Sequence, residues 1–87
     1  MGSAYRVYVL KNYAGQFYIG VTADVERRLA EHNTGASRWT RGKGPWHLVW
    51  ESEPLSLSAA RKLENRLKRQ VCGSGFYSIT GLEKIDS

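Results

Sequence analysis

The stretch AYRVYVLKNYAGQFYIG, residues 4 to 20, leaves few options for how this chain can begin. Tyr5, Val7 and Val9 alternate with Arg6, Tyr8 and Leu10, the period-two pattern of a strand with two unlike faces. NYAG is turn chemistry and QFYIG resumes as a strand, so residues 5 to 20 read as a hairpin. A three-residue turn that sets Lys11 opposite Gly15 places Tyr8 opposite Tyr18. A shift of two residues keeps both phenols on one face, whereas a shift of one separates them.

The rest of the chain supplies helices and one more strand. Thr22 or Asp24 can cap a helix running to about Asn33, with Gly35 just past its end. ASRWTRGKGP is a basic, glycine-rich loop with room for one helical turn near Ser37 to Arg41. WHLVWES is a third strand stopped by Pro54, on which Trp46 and Trp50 share a face and belong to the core. SLSAARKLENRLKRQV is the longest helix, starting at Ser56 or Ser58. Ala60, Leu63, Leu67 and Val71 form its apolar stripe. CGSG closes that helix, FYSITGL turns briefly apolar again, and EKIDS frays. These pieces predict one domain over residues 1–87, of the α/β (α+β) class. Its core is a small three-stranded, mainly antiparallel sheet flanked by helices.

Charge narrows the choice of partner. Thirteen Lys and Arg against eight Asp and Glu give +5 and a sequence pI near 9.7. That balance suits a polyanion such as a nucleic acid. Cys72 is the only cysteine, which excludes a disulfide framework and a thiolate zinc site. No apolar run approaches the roughly 20 residues of a membrane helix. The N-terminus passes straight into strand-like sequence, so neither a membrane partner nor a secretory leader is expected.

VYVL at 7 to 10, followed by YIG at 18 to 20, resembles the two-part signature of the GIY-YIG nuclease superfamily. Arg28, ten residues after Tyr18, and Glu64 inside LENRLK continue the resemblance, which runs from Tyr5 to about Leu82. The chain looks most like the small stand-alone bacterial members, and more distantly like the N-terminal nuclease domain of the bacterial excinuclease. Arg6 stands where the first motif has glycine. Val21 and Thr22 stand where some relatives carry a lysine. The resemblance implies the GIY-YIG fold and a metal-dependent DNA endonuclease using one Mg²⁺ or Mn²⁺ ion. It further implies structure-specific cleavage in DNA repair or recombination as one form of the activity, and a bacterial cytoplasmic setting. A monomer and a weak dimer are both compatible with it.

The residues suit that chemistry. Glu64 is the one acidic residue in a helix otherwise rich in Lys and Arg, and a carboxylate is a hard ligand for Mg²⁺. Its plainer role is an i,i+4 partner for Lys68, worth about 0.2–0.5 kcal/mol. Arg28 offers a planar, permanently charged fork for phosphate oxygens, while Arg27 is left to bind the backbone or face solvent. His32, one turn after Arg28, could hold a phosphate, orient a tyrosine, accept a proton or simply pack near the helix end. Tyr8 and Tyr18 complete the set of candidate catalytic residues. A phenol of ordinary pKa about 10 needs help to serve as a base, and either tyrosine could activate or position the water.

Nucleic-acid contacts are expected from Arg27, Arg38, Trp39, Arg41, Lys43 and Lys68. Trp39 either stacks on a base or anchors its loop. Tyr5, Tyr13 and Tyr77 read as structural, and Lys62, Arg66 and Arg69 as a solvated helix surface. Two other classes remain open: a non-catalytic nucleic-acid-binding module, and a protein-interaction adaptor with no salt-sensitive nucleic-acid binding.

Overall fold

The computed structural model describes residues 4–35, 40, 42–70 and 74–81. In chain order these form β1 (Arg6–Asn12), β2 (Phe17–Thr22), α1 (Val25–Thr34), β3 (Trp46–Glu51), α2 (Leu57–Arg69) and α3 (Ser74–Thr80). The sheet is antiparallel with strand order β2-β1-β3, so the first strand is the central one. Val7, Tyr8, Val9 and Leu10 are all at most 1% exposed. The two unlike faces of β1 therefore belong to two separate cores. Val7, Val9 and Ile19 pack with Ala60, Leu67 and Phe76 from α2 and α3. On the opposite face, Tyr8, Leu10 and Trp46 pack with Tyr18, Leu48 and the Val25 and Leu29 side chains of α1.

The hairpin register differs from the sequence expectation by two residues. Lys11 pairs with Phe17, Leu10 with Tyr18 and Tyr8 with Gly20. The turn keeps three residues but sits one position later, at Tyr13 to Gly15, because Gly15 is the residue that takes the left-handed conformation (φ 80°). Asn12 sets this arrangement. Its Oδ1 accepts from the backbone N–H of Ala14 (3.1 Å) and of Gln16 (2.9 Å). A two-residue shift preserves the face, so Tyr8 and Tyr18 still lie together, with ring centroids 6.2 Å apart.

The two tryptophans of β3 do not share a face. A bulge opposite the Val9–Leu10 step pairs Val9 with Trp50 and Leu10 with Leu48. The extra residue reverses the alternation. Trp46 and Leu48 thus pack on the α1 side, Val49 and Trp50 on the α2 side.

Each long helix starts at a side-chain cap. Asp24 Oδ1 accepts from Arg27 N (3.1 Å) at α1, and Ser56 Oγ accepts from Ala59 N (3.1 Å) at α2. Such caps are worth about 0.5–2 kcal/mol each. Gly35 closes α1 with φ 83°, its N–H donating to Glu31 O. Helix α3 was not legible beyond its apolar character; Phe76 is fully buried against Phe17 and Tyr77. Of the expected helical turn near 37–41 only Thr40 is described, and of CGSG only Ser74 and Gly75, which open α3 rather than close α2; Val71 of the apolar stripe and EKIDS lie outside the described residues.

Candidate active site

The cleft that matters opens along β2, the edge strand, where residues from both sheet faces meet. Tyr5, Tyr8, Tyr18, Gly20, Val21, Arg28, Leu57, Arg61 and Glu64 line about 460 Å³ of space there. Sequence positions 8, 18, 28 and 64 therefore converge on one volume. The central strand provides Tyr8, the edge strand Tyr18, α1 provides Arg28 and α2 provides Glu64.

Gly20 makes the closeness of the strands possible. A Cβ at this position would stand 2.6 Å from Tyr8 Oη and 2.7 Å from Cζ. The Tyr8 ring lies across the bare backbone of its cross-strand partner. Gly20→Ala should push the phenol off its seat, destabilise the fold by roughly 1–3 kcal/mol and impair any chemistry that uses the hydroxyl. Urea unfolding of the variant checks this. An unchanged midpoint would mean that the ring is free to yield.

Tyr8 is 1% exposed, and its hydroxyl lies 2.9 Å from His32 Nε2. His32, equally buried, places Nδ1 2.7 Å from Thr40 Oγ1. Burial pushes the Tyr8 phenol up to about 12, against the pull of the Arg28 guanidinium beside it. Burial also lowers His32 below the ordinary imidazole value, assisted by the Arg28 charge. Both effects favour the neutral forms. Tyr18 packs against the imidazole, with centroids 4.5 Å apart.

Arg28 and Arg27 separate as their positions suggest. Arg28 Nη1 pairs with Glu31 Oε1 at 2.7 Å while its side chain stays 36% exposed toward the cleft; Arg27 is 77% exposed. Hydrogen bonds to Glu31 and to Tyr8 hold Arg28 firmly protonated, and Arg28 in turn holds the Glu31 carboxyl low. Arg6, which replaces the motif glycine, stays out of the cleft. It donates to Ser52 O at 2.8 Å and pairs with Glu51 at 3.4 Å.

Glu64 is 19% exposed on its side chain and pairs with Lys68 Nζ at 3.0 Å. The plain helix-surface contact thus exists, yet Glu64 also faces the cleft. Among the described residues no three His, Cys, Asp or Glu side chains form a ready-made metal cage. One carboxylate is still a fitting donor set for Mg²⁺, which commonly takes one or two carboxylates and completes its shell with waters and substrate phosphate.

Lys43 and Lys68 line a neighbouring hollow with Thr40 and Trp46, which shares Tyr18 with the cleft. Arg38, Trp39 and Arg41 lie outside the described residues. Sequence reasoning missed Arg61, Tyr5 and Thr40. Arg61 had a signal, since Leu57, Arg61, Glu64 and Lys68 fall at spacings of four, three and four along one face of α2. Thr40 had none, because it reaches His32 across a loop. No described helix is long and apolar enough to cross a membrane.

Two tyrosines on adjoining antiparallel strands, an arginine from the following helix and a carboxylate from a second helix thus face one cleft, as the resemblance to the GIY-YIG nucleases implies. The chain belongs to the GIY-YIG catalytic domain family, which it matches over residues 4–72. Within it, the chain is similar to proteins named UPF0213. That of Aeromonas salmonicida (strain A449) is 45% identical over 65 residues, covering 74% of this chain and 48% of the relative. That of Yersinia pestis (strain Pestoides F) is 43% identical over 68 residues, covering 77% and 72%. The chain thus spans about half the length of the first relative and nearly three quarters of the second. The solution NMR structure of a UPF0213 protein from Bacillus halodurans is 36% identical, with a TM-score of 0.47, covering 75% of this chain and 70% of that one.

Proposed function

We propose that this protein is a metal-dependent endonuclease that hydrolyses phosphodiester bonds in DNA, in the bacterial cytoplasm. The observation that carries this reading is the convergence of Tyr8, Tyr18, Arg28 and Glu64 on one cleft. Structure-specific cleavage in repair or recombination is the setting we favour.

The scissile phosphate sits against Arg28, whose fork donates to the non-bridging oxygens as their charge develops. Glu64 would hold one divalent cation, Mg²⁺ or Mn²⁺, which when bound would supply Lewis acidity at the phosphate and leaving oxygen. Tyr18 orients the attacking water. Tyr8 works as a relay rather than as a phenolate, because its pKa of about 12 keeps it protonated at neutral pH. Its oxygen takes a proton from the water while its own proton passes to His32 Nε2. The water oxygen bonds to phosphorus, the phosphorus–ester oxygen bond breaks, and solvent protonates the leaving oxygen. Arg27, Lys43 and Lys68, with Arg38, Trp39 and Arg41, hold the flanking backbone.

The test is a nicking assay on duplex, flap, branched and single-stranded DNA, with Mg²⁺ or Mn²⁺ and with chelator. Cleavage that chelator abolishes is the expected result. Salt-sensitive binding without cleavage of any substrate would instead favour the non-catalytic binding module.

A further inference from the structure

Tyr8, His32 and Thr40 form a buried line of three groups, each at most 2% exposed, spaced 2.9 and 2.7 Å apart. A neutral imidazole carries one N–H, and a hydroxyl can donate or accept, so the line can run in either direction. Its surroundings select one. Arg28, the charged neighbour of the Tyr8 hydroxyl, is only a donor. Among the described residues, the hydroxyl's side-chain partners are Arg28 and His32 Nε2, and Nε2 can accept when the ring proton is on Nδ1. With Arg28 only a donor, the arrangement we assign has the Tyr8 hydroxyl donating to Nε2. In that arrangement the ring proton sits on Nδ1, and Thr40 Oγ1, 2.7 Å away, accepts it.

We propose that Thr40 is a positioning residue whose hydroxyl fixes the His32 tautomer, leaving the Nε2 lone pair to take the Tyr8 proton. Thr40 is well placed for this. Its carbonyl accepts from the Trp46 indole N–H (3.2 Å) and from Lys43 N (3.2 Å), which pins the backbone beneath the hydroxyl. Asn33, next to His32, clamps Trp46 through both its N–H (2.6 Å) and its carbonyl (3.0 Å). Helix α1 and the segment carrying Thr40 are thereby locked together. As Nε2 gains the proton from Tyr8, the Nδ1–H bond to Thr40 persists, so the imidazolium keeps its orientation. The consequence for cleavage rests on the nuclease reading; the tautomer does not.

The experiment compares wild type, Thr40→Val and Thr40→Ser, each with ¹⁵N-labelled histidine rings, near neutral pH. The ring-nitrogen shifts of His32 report which nitrogen carries the proton, and exposed His47 serves as the reference. Wild type should be protonated at Nδ1. Valine keeps the shape but removes the acceptor, so the ring should move toward the Nε2-protonated form. Cleavage should fall about 10–100-fold, mainly in kcat, the scale expected when a hydrogen bond orienting a histidine is lost. Serine should restore both signals. A wild-type ring protonated at Nε2, or a valine variant with an unchanged ring, overturns the proposal. The wild-type spectrum decides the first point even if the valine variant fails to fold. If no DNA is cut but the tautomer shifts with valine and returns with serine, the nuclease reading falls and the positioning role stands.

Discussion

Glu64→Gln should lose cleavage by at least about 10³-fold while binding DNA in chelator as well as wild type or slightly better. The carboxylate stands in the cleft on a helix that also carries Lys62, Arg66, Lys68 and Arg69. One negative charge in that setting repels phosphate and cannot serve DNA affinity. Its place makes sense if a divalent cation lies between it and the substrate. Glutamine keeps size and reach but removes the charge that would hold the proposed metal, so several kcal/mol of transition-state stabilisation should go with it. The same change releases Lys68 from its 3.0 Å pair, freeing an ammonium for the DNA backbone. Added Mn²⁺ should not rescue the variant fully. A shift assay in chelator and a nicking assay in Mg²⁺, run side by side, separate the two effects. If the variant cuts as fast as wild type, Glu64 is only the helix-surface partner of Lys68.

Tyr8→Phe should lower cleavage by about 10²-fold or more, the usual scale for a lost proton-transfer group. The ring stays, so the packing on Gly20 survives. The variant also strands His32 Nε2 in a buried site, at a cost of roughly 1–3 kcal/mol. Unfolding must therefore be measured beside activity. Tyr18→Phe keeps its packing on His32 and should cost less, because in the proposed mechanism its hydroxyl orients water without relaying a proton.

The proposed relay predicts a pH dependence. His32 must be neutral to accept the proton, and its folded pKa lies below 6.5. The acid limb of kcat/KM should then fall below pH 6.5, since a lowered pKa delays protonation as pH drops. Full cleavage by Tyr8→Phe, or an acid limb well above 6.5, would remove Tyr8 and His32 from the proton path.

Much of this protein was legible in the linear chain because its signals are local. Period-two alternation, a turn and the YIG sequence place Tyr8 and Tyr18 on one hairpin face under any even register. Capping residues and one-turn spacing put Arg28 and His32 on one side of α1. The position of Glu64 among cations marks it on α2. These follow from backbone geometry repeated every two or 3.6 residues, which neighbours in sequence are enough to specify.

Tertiary structure decided what depends on contacts between distant segments. The bulge in β3 sends Trp46 and Trp50 to opposite cores, because one extra residue reverses the alternation and nothing in WHLVWES marks it. The hairpin turn moved to where a glycine could accept positive φ and Asn12 could bridge the loop. The bare backbone of Gly20 is explained only once the Tyr8 ring is seen lying across it. Arg61 enters the cleft, and Thr40 meets His32, because packing of α2 on the edge strand and of the loop on α1 brings them there. Side chains meeting through packing leave no periodic trace in sequence, so their partnership becomes visible only when the chain is folded.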